Sequence, residues 1–426
     1  MKFSLLPVLV SLMATQAIAA TDEVIVTGTY SPVTAEQIAS SVTVIDHQQL
    51  LALSNHSLAD ALRQVPGVWV AAQGGPGGLT TISLRGAEAN HTLVLVDGIE
   101  MNDPTNTRGG AFDVNDINIA SIQRVEIIRG AQSAIYGSDA LAGVIHIITA
   151  EPTPTIRQHL SLSAGEHGYQ TGSFSSTGTV DNTGYVLRLQ DKRAGTPIEG
   201  SSANNREALI KLDSTLGAHQ LDFTWRHMEG EKTTFPEQSG GPLFARSRDL
   251  DRSRYTDQNA AASWAWAISN GWTSTLAATW FNRDQHIDSP GIIPFDAVPP
   301  NGAKTDFTRA DIKWINTLGD KQGTWANIGF EGRHETGESR GYLVYGERMP
   351  TDFRLSRSTR SAFLNLNSYL TEHLFVGASI RSDSNAHFGT RQSVQGGLRY
   401  QLSDNLSWFA NAGTGYKLPS FFALGH

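Results

Sequence analysis

The chain changes its hydrophobic grammar near Glu151. Beyond it, apolar and polar positions alternate with period two through many separate segments. In "HQLDFTWRH", Leu221, Phe223 and Trp225 share one face, and Gln220, Asp222, Thr224 and Arg226 the other. "HLFVGASIRS" sets Leu374, Val376, Ala378 and Ile380 against Phe375, Gly377, Ser379 and Arg381. "SVQGGLRYQLS" sets Val394, Leu398, Tyr400 and Leu402 against Gln395, Arg399 and Gln401. Successive strand side chains point to opposite sides, so each segment reads as a strand with one apolar face. Some linkers are short (Ser403-Asp404-Asn405) and others long (Arg226 to Asp257). Trp264, Trp266, Trp280, Trp314 and Trp408 stand near segment ends.

Before Glu151 the pattern is that of a compact mixed α/β unit. Val42 to Ile45 predicts a short strand. Ser57 to Val65 carries the 3.6-residue rhythm of a helix, with Ser57 as N-cap, Asp60 near the capping-box position, and Pro66-Gly67 as the stop. Val68 to Val70, Thr81 to Leu84 and Thr92 to Val96 read as strands, and Asp97-Gly98 as a turn. Ile117 to Ile122 suggests a short helix before a strand over Val125 to Ile128. "VEIIRGAQSAIYGSDALAGVIHIIT" then places a segment rich in Gly, Ala and Ser between two strand-like runs.

The N-terminus bears on where such a chain resides. Met1-Lys2 precedes an apolar run from Phe3 to Met13, and Ala17 and Ala19 form a small-x-small cleavage site. This is the pattern of a secretory signal peptide over residues 1–20, too short to span a bilayer as a helix, which takes ~20 apolar residues. An exported chain of 426 residues with no cysteine does not rely on disulfides. With 41 acidic against 33 basic residues it lacks the charge of a general nucleic-acid binder. Alternation alone fits a soluble β-sandwich or a membrane β-barrel. Export without cysteines, the mix of short turns with long loops, and aromatics at segment ends favour the barrel.

No catalytic constellation is present. The 13 histidines are scattered, and neither a His-Glu-x-x-His pair nor a Gly-x-Ser-x-Gly elbow occurs. Gly130 to Gly143 is not a nucleotide loop, for it lacks a Gly-Lys-Ser/Thr ending and a following helix pattern.

Several motifs together resemble the TonB-dependent outer-membrane receptors: "DEVIVTG", "LADALRQVPGV", "ISLRG", "HTLVLVDGI" and "RVEIIRGAQSAIYGSDALAGVIHIIT". "RSDSNAHFG" and "GTGYKLPS" are most similar to the branch of that family that takes up cobalamin. The resemblance implies an α+β plug domain inside a transmembrane antiparallel β-barrel in the outer membrane of a Gram-negative bacterium. It implies a transporter and not an enzyme, with no cofactor. Its partners would be TonB with its inner-membrane energising complex, a corrinoid or siderophore ligand, and outer-membrane lipid, with no nucleic acid. Residues 21–30 would hold the TonB box (Asp22, Glu23, Val24, Ile25, Val26, Thr27, Gly28) and a linker, residues 31–150 the plug, and residues 151–426 the N-terminal part of the barrel. An extended segment such as Val24 to Thr27 can add as a strand to a partner's sheet edge.

The resemblance also assigns site residues. Arg85 in "LRG" and Arg129 in "IRG" match plug arginines that pair with barrel carboxylates, a task suited to a bidentate fork. Ligand contacts are expected from two plug loops. One is Gln73, Gly74, Gly75, Pro76, Gly77 and Gly78; the other includes Asn102, Asp103, Thr105, Asn106 and Arg108. Calcium-binding loops known in the cobalamin branch are dense in Asp and Asn. Here "DNTG" and the arginine-crowded "RSRDLDRSRYTD" stand in that region, a poor setting for an all-oxygen cage. The residues after Tyr416 do not carry the haem-receptor pattern. A ferric-siderophore receptor and a passive barrel or adhesin remain alternatives. The family barrel has about 22 strands, whereas residues 151–426 suit about twelve to fourteen at ~9–11 residues each plus a connection. The chain is therefore expected to be a C-terminally truncated receptor that need not function by itself.

Overall fold

The computed structural model describes residues 25–26, 30–31, 33–34, 37–54, 57–292, 298–403 and 406–425. The signal peptide and, within the TonB box, Asp22, Glu23, Val24, Thr27 and Gly28 lie outside the described residues. Ile25–Val26 (β1) form a two-residue strand paired antiparallel with Val33–Thr34 (β2).

The plug is built on a five-stranded sheet. Its strands are β3 (Ser41–Asp46), β6 (Thr92–Val96), β7 (Ile99–Glu100), β8 (Ile122–Arg129) and β9 (Gly143–Thr149), in the order β3-β8-β9-β6-β7. Only β6 and β9 pair in parallel. Between β3 and β6 lie helices α1 (His47–Leu53) and α2 (Leu58–Arg63) and the hairpin β4 (Val68–Ala72) and β5 (Thr80–Leu84). Ser57 caps α2 by accepting the Asp60 N–H at 3.1 Å, as its sequence suggests. Every residue of β9 is buried, which accounts for its nearly unbroken apolar run. Its one polar ring, His146, accepts the Gly98 N–H at 2.9 Å. Leu50, Leu58, Leu62, Val125, Ile127, Ile145 and Ile147 form the plug core, which continues into Phe281 and Phe307 from the surrounding wall.

That wall is one antiparallel sheet of 14 strands. It runs through β10 (Arg157–Ala164), β11 (Gln170–Val180), β12 (Thr183–Arg193), β13 (Ser202–Leu216) and β14 (His219–Thr234). It continues through β15 (Asp251–Ser269), β16 (Trp272–Ser289), β17 (Asn301–Gly319) and β18 (Thr324–Tyr345). A short β19 (Glu347–Pro350) folds back on β18, and β20 (Phe353–Thr371), β21 (Leu374–Asn385), β22 (Gly389–Ser403) and β23 (Leu406–Gly413) follow. Along the central strands, side chains alternate between plug and surroundings. On β14, Arg226, Met228 and Lys232 are buried inward, while Leu221 and Phe223 are exposed outward. Phe375 and Arg381 face inward on β21, with Ile380 outward. The apolar face is the outer one, as lipid contact requires, and the interior is polar.

Tryptophans mark the two borders of this apolar band. On β16, Trp272 and Trp280 face outward and lie eight residues apart. At ~3.4 Å per residue and a tilt of ~40° they are about 20 Å apart along the membrane normal, close to the ~25 Å band of outer-membrane barrels. No helix among the described residues is long and apolar enough to cross a membrane; the crossing is made by strands.

Three expectations need adjustment. Ile117 to Ile122 is not a helix: a single 3-10 turn (Ile119–Ser121), capped by the Asn118 side chain, leads directly into β8. The long linker is shorter than Arg226 to Asp257, because β14 continues to Thr234 and β15 begins at Asp251. Both strands are polar on each face there, so period two does not show. Within the Gly-rich segment, Ser133–Tyr136 forms a helical turn (α3). Gly143 has φ of +148°, and a side chain there would meet the Ile128 carbonyl oxygen at 2.3 Å. Gly143→Ala should therefore destabilise the plug by about 1–3 kcal/mol. Protease sensitivity should rise in the plug while the barrel strands stay protected.

Candidate functional site

Two plug loops and the long-loop rim of the wall enclose a cavity of about 610 Å³. The first loop joins β4 to β5 and contributes Gln73, Gly74, Gly77 and Gly78; the second follows β7 and contributes Asn106, Thr107 and Arg108. Glycine is needed where the first loop meets the wall. A side chain at Gly77 would fall 1.8 Å from the Thr233 carbonyl oxygen and 2.5 Å from that of Ser202. The second loop holds its shape through its own polar residues. Asn102 accepts from Val94 N–H at 2.8 Å and donates to the carbonyls of Thr92 and Gly110. Asp103 accepts from Thr105 N–H and Oγ1 at 2.8 and 2.6 Å, and Asn106 Oδ1 accepts from the N–H groups of Arg108 and Gly110.

The expected ligand-loop residues thus divide by role. Gln73, Gly74, Gly77, Gly78, Asn106 and Arg108 line the cavity. Asn102, Asp103 and Thr105 are buried scaffold, and Gly75 packs toward Ile198 and Ser201. Pro76 lies between Gly75 and Gly77 in that loop, outside the cavity lining. One wall residue clasps both loops: Glu237, between β14 and β15, accepts from Gln73 Nε2 at 2.7 Å and pairs with Arg108.

Beneath the loops the floor is ionic. Lys232 pairs with Asp113 at 2.7 Å and with Asp116. Arg283 grips Asp257 with two bonds, at 2.6 and 2.7 Å, and reaches Asp116 at 3.1 Å. The Tyr255 ring lies 5.4 Å from Lys232 Nζ and 5.2 Å from the Arg283 guanidinium carbon. The two plug carboxyls are shifted in opposite directions for a clear reason. Burial disfavours ionisation at both. At Asp113 it outweighs Lys232, and the neighbouring Asp116 charge raises that carboxyl further above its usual range. Asp116 has both Lys232 and Arg283 beside it, and together they hold it below the usual range.

The same polarity recurs around the plug. Arg309 Nη2 and Arg333 Nη1 approach Glu100 at 3.1 and 3.0 Å, and Arg309 also donates to the carbonyls of Glu100 and Asn102. Lys211 pairs with Asp97 at 2.7 Å. In these buried pairs the wall supplies the cations and the plug the anions, whereas the exposed Arg108–Glu237 pair at the rim has the opposite sense. This differs from the expectation for Arg85 and Arg129. Arg129 donates to Thr43 Oγ1 at 2.8 Å, both arginines lie beside Gly67, and neither makes an ion pair among the described residues. The motif places a guanidinium at each strand end but does not say what faces it.

Residue matching gives the class of this plugged sheet. A family model described as TonB-dependent Receptor Plug Domain matches residues 34–144, and one described as TonB dependent receptor-like, beta-barrel matches residues 168–425. The chain belongs to the TonB-dependent receptor family, whose barrels reside in the outer membrane of Gram-negative bacteria and whose members are transport receptors rather than enzymes. It is 26% identical over 429 residues to a protein named Vitamin B12 transporter BtuB from Vibrio vulnificus (strain CMCP6), covering 97% of this chain and 66% of that relative. A protein of the same name from Photobacterium profundum is 26% identical over 396 residues, covering 91% and 60%. The chain thus spans about two thirds of the length of these relatives. Among solved structures, the siderophore receptor PiuA from Acinetobacter baumannii superposes with a TM-score of 0.73 at 15% identity, covering 92% of this chain and 66% of that one. The unliganded ferric citrate transporter FecA gives 0.72 at 14%, covering 91% and 64%. At such identities the superpositions establish the fold alone.

Burial pushes the Glu100 carboxyl up to about 7, against the pull of Arg309 and Arg333. Between pH 4.5 and about 7 the folded protein then holds a proton that the unfolded chain has released. Stability should fall across that window as pH rises, by on the order of 3 kcal/mol. In denaturant unfolding of the purified protein, Glu100→Gln should flatten this dependence. A dependence unchanged by the substitution would assign the titration to another group.

Proposed function

We propose that the protein is a receptor that takes up a large scarce nutrient, a corrinoid, across the outer membrane with energy delivered through TonB. The observation that carries the substrate class is the charge balance of the cavity. Its ionisable lining comprises four basic residues (Arg108, Lys232, Arg252, Arg283) and four acidic ones (Asp113, Asp116, Glu237, Asp251). A near-neutral, polar chamber suits a ligand without net charge, such as cyanocobalamin. A strongly anionic ferric chelate would be better served by an excess of cations. The similarity to proteins named vitamin B12 transporters points the same way. The ferric-siderophore reading draws support from neighbours such as PiuA, whose title names a siderophore receptor.

TonB engagement is supported by the extended backbone of Ile25–Val26, a conformation suited to strand addition. Cells expressing the chain should bind labelled cyanocobalamin saturably, with competition by unlabelled cyanocobalamin but not by a ferric catecholate. The opposite competition would replace the corrinoid by a siderophore. Ile25→Pro removes a ladder N–H, so it should leave binding intact and reduce energised uptake at least tenfold. Unchanged uptake would favour a passive barrel.

A further inference from the structure

Beyond β23 the chain turns from the wall into the barrel. Thr414 Oγ1 still accepts the Val394 N–H at 3.0 Å. Gly415 then passes so close to the plug that a side chain there would lie 2.7 Å from Leu141 and 2.9 Å from Ser133 Oγ. Tyr416 donates to Asp383 Oδ2 on β21 at 2.8 Å, and Lys417 pairs with Asp139 of the plug. Arg357 donates to the Pro419 carbonyl at 3.1 Å. Ser420 is a capping residue by type, and its Oγ accepts the Ala423 N–H at 3.1 Å. The helical turn that follows, Phe421–Gly425, ends against Phe353 of β20. Residues 414–425 thus form a strap from β23 across the plug to β18 and β20.

The strap meets the second plug loop at Phe421 and Phe422. Phe421 is 1% exposed. Its ring meets Phe307 edge-on at 6.3 Å between centroids and lies 4.9 Å from the Arg357 guanidinium carbon. Gly337 on β18 leaves the room: a side chain there would collide with Phe421 and lie 2.7 Å from Thr105 Cγ2. Phe421 and Thr105 therefore share one socket in the wall. Beside it, the Phe422 N–H donates to the Pro104 carbonyl at 3.0 Å. Pro104 and Thr105 immediately precede Asn106 and Arg108 of the chamber lining, which among the described residues includes none from the strap.

Bonds within the loop are local. The N–H groups of Thr105, Asn106, Arg108, Gly109, Gly110 and Ala111 all donate to groups two to four residues away. Such bonds fix the loop's shape but not its place, and they open together when its base is loosened. At the tip Arg108 pairs with Glu237, but an exposed pair of that kind holds weakly.

We propose that Phe421 is a positioning residue for ligand capture. The strap sets where Asn106 and Arg108 stand in the outer chamber without itself touching the cargo. The ring fills the socket at Gly337 and presses Thr105 into place, and the Phe422 N–H fixes Pro104 beside it. Loss of the ring leaves a cavity into which Thr105 and Pro104 can move. The chamber then keeps its residues but loses their arrangement. The effect on cargo rests on the uptake reading; the loop's dependence on the strap does not.

Two measurements test it. In hydrogen exchange of the purified protein without ligand, Phe421→Ala should speed exchange over residues 104–111 about tenfold or more. Residues 68–84, the hairpin of the first loop in the same plug, should stay within about twofold of the parent. Gly337→Ala, which keeps every strap residue but closes the socket, should give the same contrast. Equal acceleration of both regions, or none over residues 104–111, would show ordinary packing and overturn the proposal. If Phe421→Ala fails to assemble, Gly337→Ala alone decides the comparison. The second measurement is equilibrium binding of cyanocobalamin. Phe421→Ala should raise Kd about fivefold or more with the number of binding sites unchanged. Phe421→Leu, which refills the socket, should return Kd to within about twofold of the parent. Fewer sites at parental affinity would mean lost folding rather than lost positioning, and would also overturn the proposal. If the parent binds no cyanocobalamin, the corrinoid reading fails, and the exchange contrast still decides the role of the strap.

Discussion

Opposite charges buried between plug and wall set the rest of the structure. Lys232 and Arg283 face Asp113 and Asp116, Arg309 and Arg333 face Glu100, and Lys211 faces Asp97. Removing such ions from water costs nearly as much as their attraction returns, so they add little net stability. Their effect is on position. A plug rotated or shifted by one strand would leave several charges buried and unpaired, at roughly 3–5 kcal/mol for each broken pair. Apolar contacts such as Phe281 and Phe307 against the plug core supply cohesion but tolerate sliding; the ions fix the register. That fixed register brings the Gly77 loop against Thr233 and the Arg108 loop against Glu237, and so shapes the outer chamber.

A barrel interior reverses the usual relation between burial and polarity, and this decided what could be read from sequence. Period-two segments revealed the strands and their apolar faces, with Leu221, Phe223 and Trp225 together on one side. The opposite faces look like ordinary solvated polar positions. Nothing local distinguishes Arg226, which is buried, from Arg206 on the neighbouring strand, which is exposed. Inward charges become recognisable only when the partner strand and plug are in place. For the same reason Lys232, Asp116 and Glu237 are not legible in the sequence, and only Arg283, on the face opposite Trp280, lies where the alternation shows. The plug was more legible because it follows soluble rules, as Ser57 capping α2 and the buried run of β9 show. Where local polar geometry competes, as at Asn118, the helical reading gave way to a turn.

The family resemblance supplied the two loops but not the division of work within them. Asn102, Asp103 and Thr105 sit in the same loop as Asn106 and Arg108, yet they are buried and bond within the plug: Asn102 to backbone, Asp103 Oδ1 to the Thr105 N–H and hydroxyl. Arg85 and Arg129 lack the expected carboxylate partners among the described residues for a related reason. A side-chain type at a motif position indicates reach and charge, whereas its partner depends on the wall.

The central claim is that wall cations and plug anions position the plug as interdependent pairs. A stability cycle on Lys232 with Asp113 and Asp116 examines it most directly, by denaturant unfolding of the plug in the purified protein. Lys232→Met alone should cost about 3–5 kcal/mol, because it leaves the buried Asp113 carboxyl without its cation and Asp116 with Arg283 alone. Adding Asp113→Asn and Asp116→Asn should restore most of that loss. A single-variant loss below about 0.5 kcal/mol, or losses that simply add, would contradict the account.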